Sequence, residues 1–287
     1  MTQLNNKPDL HWPKATLDEI AALIRKNHNR DILPYTETFL IKSLEKRLAA
    51  TSIATAAAYV RHLACNGAEA EAFIHSLSVG YSEFFRDPLV FALLGQVILP
   101  GIIQEQNASG RVEVRVWSAG CASGQEAWSV AILLDQLAAA RNHPIHFWII
   151  ATDVSETLLA LARRGEYTSA EIKNVPLKYI ESCFSRQGDM YRIVERIRTR
   201  VDFSIFDLLD EHSFCPPASI FGNFDLVLCC NLIFYFRPTI REAILAKLHR
   251  CLASKGYLAT GETERAIVEE RRDFRLVAPP AAIFRKR

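Results

Sequence analysis

The chain has 287 residues, 49% of them hydrophobic and 23% charged, enough apolar material for one large buried core or two ordinary ones. Its 34 basic and 32 acidic residues leave a net charge of +2, which excludes a global field pulling it to nucleic acid or an anionic membrane, so any electrostatic selectivity is local. Seven cysteines, an odd number without paired metal spacing, fit reduced thiols better than a disulfide framework.

Met1 to Pro13 is polar and broken by Pro8 and Pro13, without the basic start and apolar run of a secretory signal. Thr16-Leu17-Asp18-Glu19 reads as a helix cap ahead of Ile20, Leu23 and Ile24 at helical spacing. Apolar sets recur at Phe39, Leu40, Leu44 and Leu48, at Ala57, Val60, Leu63 and Ala64, and at Ala70, Phe73, Ile74 and Leu77, predicting three more helices. Asp87-Pro88 supplies a cap and a first-turn proline for a fifth helix, expected to run through Leu99 and stop at Pro100-Gly101.

From about Val112 strands alternate with helices, which predicts an α/β domain around a mainly parallel sheet. The candidate strands are Val112 to Ser118, His146 to Thr152, Val201 to Phe206, Asp225 to Cys230, Gly256 to Thr260, and a closing pair within Phe274 to Arg285. Residues 165–200 carry Val175-Pro176, Gly188-Asp189 and the alternating Met190-Tyr191-Arg192-Ile193-Val194, which predicts a small antiparallel β-subdomain. The expected organisation is a helical N-terminal domain over 1–90 and an α/β domain over 91–287. Apolar runs such as Ile145 to Ala151 are too short to span a bilayer. Trp117 and Trp148 are expected in the core, and Cys229-Cys230 as small apolar residues at the end of a buried strand.

The chemistry gathers at strand ends. The strand Val114-Arg115-Val116-Trp117 runs into Ser118-Ala119-Gly120-Cys121-Ala122-Ser123-Gly124 and then a helical stretch from Gln125 to Ala140. Glycines at such a turn permit positive φ and close approach of a ligand beside helix-start amides, although a tight turn without a ligand has the same signature. Asp153 ends the next strand, where an acid accepts hydrogen bonds from ribose hydroxyls or caps the following helix. The two features in consecutive βα units favour a nucleoside site. Asp207-Leu208, Asn231-Leu232 and Gly261-Glu262 end three further strands on the same edge; Asp207 either meets an adenine amino group, with Leu208 on the ring, or caps its own turn.

Four segments, Phe84-Phe85-Arg86-Asp87, Val116 to Glu126, Ala151-Thr152-Asp153 and Phe224 to Phe236, closely resemble the chemotaxis receptor methyltransferases of the CheR family over nearly the whole chain. The resemblance implies a helical N-terminal domain followed by a Rossmann-like class I methyltransferase domain with a small antiparallel β-subdomain. It further implies methyl transfer from S-adenosylmethionine, leaving S-adenosylhomocysteine, to glutamate side chains of chemoreceptors as γ-glutamyl methyl esters in the cytoplasm. Carried over by position, the cofactor contacts are Ser82, Arg86, Glu126, Asp153, Asp207, Leu208, Asn231 and Leu232, joined by Gly120 of the glycine turn; the catalytic candidates, from their own chemistry, are Arg86 on a carboxylate and Tyr235, which either lines the methyl-transfer channel or packs as a core aromatic. The implied partner is the cytoplasmic domain of a chemoreceptor, met by a monomer with neither nucleic acid nor membrane insertion. Some relatives dock a C-terminal receptor peptide on a β-subdomain loop longer than Ser185-Arg186-Gln187-Gly188-Asp189, so no such tether is expected here.

The chain departs from the family pattern in places. Val79-Gly80 stands where Thr-Asn is usual, Gln125-Glu126-Ala127 for Glu-Glu-Pro, and Cys230-Asn231 for Arg-Asn. Of the arginine run that relatives carry on the second helix only Lys42, Lys46 and Arg47 remain. A carboxylate acceptor is already ionised at neutral pH, so the reaction needs capture and alignment rather than a general base. Arg86 suits that capture because guanidinium is always charged and binds carboxylate with two hydrogen bonds. Two rival readings stand: an amino-group methyltransferase, from the Asn and aromatic spacing of Asn231-Leu232-Ile233-Phe234, and a non-catalytic S-adenosylmethionine-binding signalling module.

Overall fold

In a computed structural model, residues 12–78, 80–111, 113–140, 145–219 and 222–287 are described. The expectations for Met1 to His11, for Val79 and for Val112 lie outside them. The chain forms two compact units, one of residues 1–79 with 235–238, the other of residues 80–234 with 239–287.

The first unit is helical: α1 (Lys14–His28), α2 (Glu37–Thr51), α3 (Ala56–Cys65) and α4 (Gly67–Leu77). Pro13, not Thr16, opens α1: its carbonyl accepts the Thr16 amide at 2.9 Å, which puts Thr16 inside the first turn. Thr36 caps α2 by accepting from the Phe39 amide. The predicted apolar positions Ile20, Ile24, Leu40, Leu44, Leu63 and Phe73 form the core. Within it Arg47 donates to both oxygens of buried Glu69, at 2.9 and 2.6 Å, and the Tyr59 hydroxyl adds a third bond at 2.7 Å. The guanidinium holds Glu69 below the usual carboxylate range. Arg47 is therefore committed to the interior, and of the three basic residues on α2 only Lys42 and Lys46 are exposed. Residues 235–238 join this unit: Phe236 bridges Tyr35 and stacks on its ring at 5.0 Å, and Tyr235 lies 4.5 Å from the Phe39 ring.

The second unit begins at residue 80, eleven residues before the expected start at 91. The reason is that Phe84, Phe85, Val90 and Phe91 belong to the core of the sheet. The fifth helix does not stop at Pro100. It runs from α5 (Pro88–Leu93) through a π-turn at Leu94–Ile98 into α6 (Leu99–Ala108). Proline forfeits its amide bond and crowds the preceding turn, and the wider π spacing just before it accommodates both effects. The resulting 21 residues are long and apolar enough to cross a membrane by length and composition alone. Their Leu94, Ile98, Leu99, Ile102 and Ile103 are instead buried in this unit's core.

The strands follow as β1 (Glu113–Ala119), β2 (His146–Asp153), β6 (Val201–Ile205), β7 (Phe224–Cys229), β8 (Leu252–Thr260), β9 (Phe274–Leu276) and β10 (Ile283–Lys286), in the order β6-β2-β1-β7-β8-β10-β9. The first five are parallel; β10 is antiparallel to β8 and β9. Crossover helices include α7 (Gln125–Ala139), α8 (Glu156–Arg164) and α11 (Pro238–Cys251). Between β2 and β6 lies a separate three-stranded antiparallel sheet of β3 (Glu166–Thr168), β4 (Phe184–Gln187) and β5 (Met190–Ile193), accompanied by α9 (Leu177–Cys183) and α10 (Glu195–Arg198). Trp117 is fully buried, but Trp148 is 38% exposed. Trp148 sits near the start of β2, where burial still alternates, and only beyond Ile149 is the strand covered on both faces.

Candidate functional site

From β1 the chain proceeds outward through β2 to β6, then returns to β7 on the opposite side of β1. The carboxyl ends of β1 and β7 thus meet where the strand order reverses, the place where doubly wound sheets leave a crevice for ligands. A cavity opens there, lined among others by Ser82, Arg86, Gly120, Ala122, Glu126, Cys230 and Asn231. Five of the expected site residues, Ser82, Arg86, Gly120, Glu126 and Asn231, are brought together in it.

Each wall has a local cause. The turn after β1 takes positive φ at Gly120 (78°), Ala122 (48°) and Gly124 (92°). A Cβ on Gly120 would lie 2.6 Å from Leu232 Cδ2, so the missing side chain lets Leu232 pack against the turn. Three of the turn's amides are already engaged. Thr152 O accepts from the Gly120 and Cys121 amides at 2.8 and 2.9 Å, and Asp153 Oδ2 accepts from the Ala122 amide at 3.0 Å. At Gly124 a Cβ would meet Ala162 Cβ at 2.8 Å and Trp128 Nε1 at 3.1 Å. Gly124→Ala is expected to cost about 2–4 kcal/mol from the left-handed backbone and the overlap together, read as a lower urea midpoint.

Glu126, on the first turn of α7, points its carboxylate at the cavity and accepts from Ser118 Oγ at 2.7 Å. Burial pushes this carboxyl up to about 7, against the downward pull of the Cys230 thiol and the Ser118 hydroxyl. Arg86 stands at the mouth with its guanidinium 5.1 Å over the Tyr81 ring. Tyr81, 60% exposed, donates its hydroxyl to Glu83, and Glu83 faces Lys173 at 3.6 Å. Tyr81 and Glu83 line the cavity and were not among the expected residues.

Asp153 is raised by burial, opposed by the Ser155, Ala122 and Val154 amides. Its carboxylate therefore already secures the turn, whatever else it binds. Asp207 accepts from the Leu209 amide at 2.8 Å, the turn-capping role, and Leu208 beside it is buried. Register sets these near Asp153, which pairs with Ile205 and whose carbonyl accepts from the Phe206 amide at 3.2 Å. Asp207, Leu208, Asp153 and Leu232 do not line the cavity itself, and Tyr235 groups with the helical unit. Cys229 is buried in β7 as expected, whereas Cys230 faces the cavity. The acid of greatest consequence after β8 is Glu264 rather than Glu262. Glu262 is exposed and paired with Arg265 at 3.2 Å, while Glu264 is fully buried under the Asn231 turn.

Residues 81–283 match the family described as CheR methyltransferase, SAM binding domain, and residues 15–78 match CheR methyltransferase, all-alpha domain. The chain is 32% identical over 198 residues to chemotaxis protein methyltransferase 1 of Pseudomonas aeruginosa, covering 68% of this chain and 69% of that protein. It is 28% identical over 281 residues to the chemotaxis protein methyltransferase of Escherichia coli K12, covering 95% and 90%. A 29% identity over 267 residues with an uncharacterized 104.1 kDa protein of Rhodobacter capsulatus takes in 93% of this chain but 27% of that one. The switch-point cavity and both matched segments lead to one conclusion: the chain belongs to the CheR methyltransferase family, with S-adenosylmethionine as its cofactor.

Proposed function

We propose that this protein transfers the methyl group of S-adenosylmethionine to glutamate side chains in the cytoplasmic domain of a chemoreceptor, forming γ-glutamyl methyl esters. The observation that carries the reading is the cavity at the β1/β7 switch point, which sets a carboxylate, Glu126, opposite a guanidinium, Arg86, in a chain of this family. That pair fits the two charges of the cofactor's amino-acid end, ammonium to Glu126 and carboxylate to Arg86 with Ser82. Asp153 and the Asp207-Leu208 turn, at the ends of the neighbouring strands, suit ribose and adenine. The bound cofactor supplies an activated methyl group. The chain's part is to hold an ionised glutamate in line and partly desolvated, and Arg86 at the mouth is the group to orient it.

On this reading the protein works in the cytoplasm as a monomer, and Lys42 and Lys46, exposed one turn apart on α2, supply the charge that meets an acidic receptor surface. The connection between β4 and β5 is the short turn around Gly188-Asp189, which supports recognition without a C-terminal receptor tether. Purified protein with methyl-labelled S-adenosylmethionine should label glutamates of a receptor cytoplasmic domain, and mild base should release the label as methanol. Base-stable label would exclude the ester and favour an amino acceptor.

A further inference from the structure

Glu264 has no exposed surface, yet it is a carboxylate. It lies just past Gly261, at the end of β8, and both its oxygens are turned on the neighbouring strand end. Oε1 accepts from the Leu232 amide at 2.7 Å and the Ile233 amide at 2.6 Å. Oε2 accepts from the Asn231 amide at 2.8 Å and the Gly261 amide at 2.9 Å. Four backbone donors on one buried carboxylate is far more than a helix cap requires, and three of them belong to the turn that follows β7. Charge-assisted bonds of this kind are the strong ones, and removing the acceptor would leave buried amides unpaired. Burial alone would push Glu264 up, and the four amides pull it back.

The turn it grips is tightly packed against both its neighbours. Asn231 sits in the left-handed region at φ 58°, and its side chain covers Gly261 so closely that a Cβ there would lie 2.5 Å from Asn231 Nδ2. Leu232, the next residue, is the one that packs into the space left by Gly120. The carboxylate thus sets the distance between the two walls of the cavity, the β1 turn and the β7 turn. We propose that Glu264 is a positioning residue for cofactor binding, a buried anion that clamps the Asn231-Leu232-Ile233 backbone so that Asn231 lines the cavity and Leu232 closes on Gly120. This rests on the reading of that cavity as the cofactor site.

Glu264→Gln keeps the shape but turns an NH₂ group toward at least one amide, and Gly261→Ala attacks the same turn from the other side without touching the carboxylate. In calorimetry with S-adenosylhomocysteine, both variants should bind about tenfold or more weakly with the stoichiometry still near one, because displacement of a wall costs affinity rather than active fraction. In hydrogen exchange, the amides of residues 231–233 should lose protection while those within β7 and β8 keep it. Leu248→Ala, a core truncation elsewhere in the unit, should lower the melting temperature with affinity unchanged. Unchanged affinity in both turn variants would overturn the proposal. So would a fallen stoichiometry at unchanged affinity, or an equal loosening in Leu248→Ala. If the unsubstituted protein fails to bind S-adenosylhomocysteine while Glu264→Gln still releases the 231–233 amides, the cofactor reading falls and the clamp stands.

Discussion

Arg86→Ala is expected to lower methyl transfer about 10²–10³-fold, the loss typical of removing a charged group that faces the reacting centre. The residue is placed by its neighbours rather than by its own bonds. Phe84 and Phe85 on its N-terminal side are both buried, Phe85 adopts φ 49°, and the Phe85 amide donates to Ser129 Oγ at 3.0 Å. A bulky residue held in the left-handed region is strained, and such strain collects at functional positions because the surroundings over-determine it. The guanidinium itself is exposed and rests on Tyr81, so its removal should leave the melting temperature unaltered. Calorimetry then divides the effect. If Arg86 serves mainly the cofactor, affinity for S-adenosylhomocysteine carries most of the loss; if it orients the acceptor, the single-turnover rate at saturating cofactor does. Arg86→Lys restores the charge but not the two-pronged geometry and should recover only part of either. A full rate in Arg86→Ala would remove the residue from the machinery.

Much of this site was legible because strand ends write themselves into sequence. An apolar run followed by glycine, a lone acid or, after β7, an asparagine marks β1, β2, β6 and β7, and these four start and stop within a residue of the expected ones, whereas β8 starts four residues early, at Leu252. What stayed hidden depends on contacts made across the sheet. Glu262 and Glu264 both follow β8, and nothing local says which turns inward; only the juxtaposition of β7 and β8 puts four amides around the second. Arg47 looked like a surface cation until Glu69, 22 residues on, supplied the buried partner. Pro100 read as a stop because proline usually is one, and the π-turn that absorbs it leaves no mark in the periodicity. Residues 235–238 follow directly on Asn231 in sequence yet group with the helical unit, a pairing set by Tyr35, some 200 positions earlier, that no local pattern announces.

Cofactor affinity should fall as pH drops through 7, by about 25-fold between pH 7.5 and 5.5, because Glu126 must be ionised to hold an ammonium and each unit below its pKa costs about a factor of ten. The cause is visible around the carboxyl. Ser118 and Cys230 offer neutral hydrogen bonds, Glu264 adds a like charge, and Arg86 at the mouth is the opposing cation, so burial dominates and sets the value near 7. A guanidinium in place of the Cys230 thiol would hold Glu126 ionised well below this range. The free protein should respond with the opposite sign. A carboxyl raised in the fold contributes stability that is present below its ordinary value and is lost as pH rises toward 7, and Asp153 and Glu264 are raised in the same direction. The unliganded protein should therefore gain melting temperature on moving from pH 7.5 to 5.5, while its affinity for S-adenosylhomocysteine declines. Glu126→Gln should bind weakly and flatten the affinity profile across this window. Cys230→Arg, if Glu126 is the titrating group, should move the fall in affinity to lower pH. An affinity profile in Glu126→Gln that still falls below pH 7 would assign the titration to another group and release Glu126 from the ammonium.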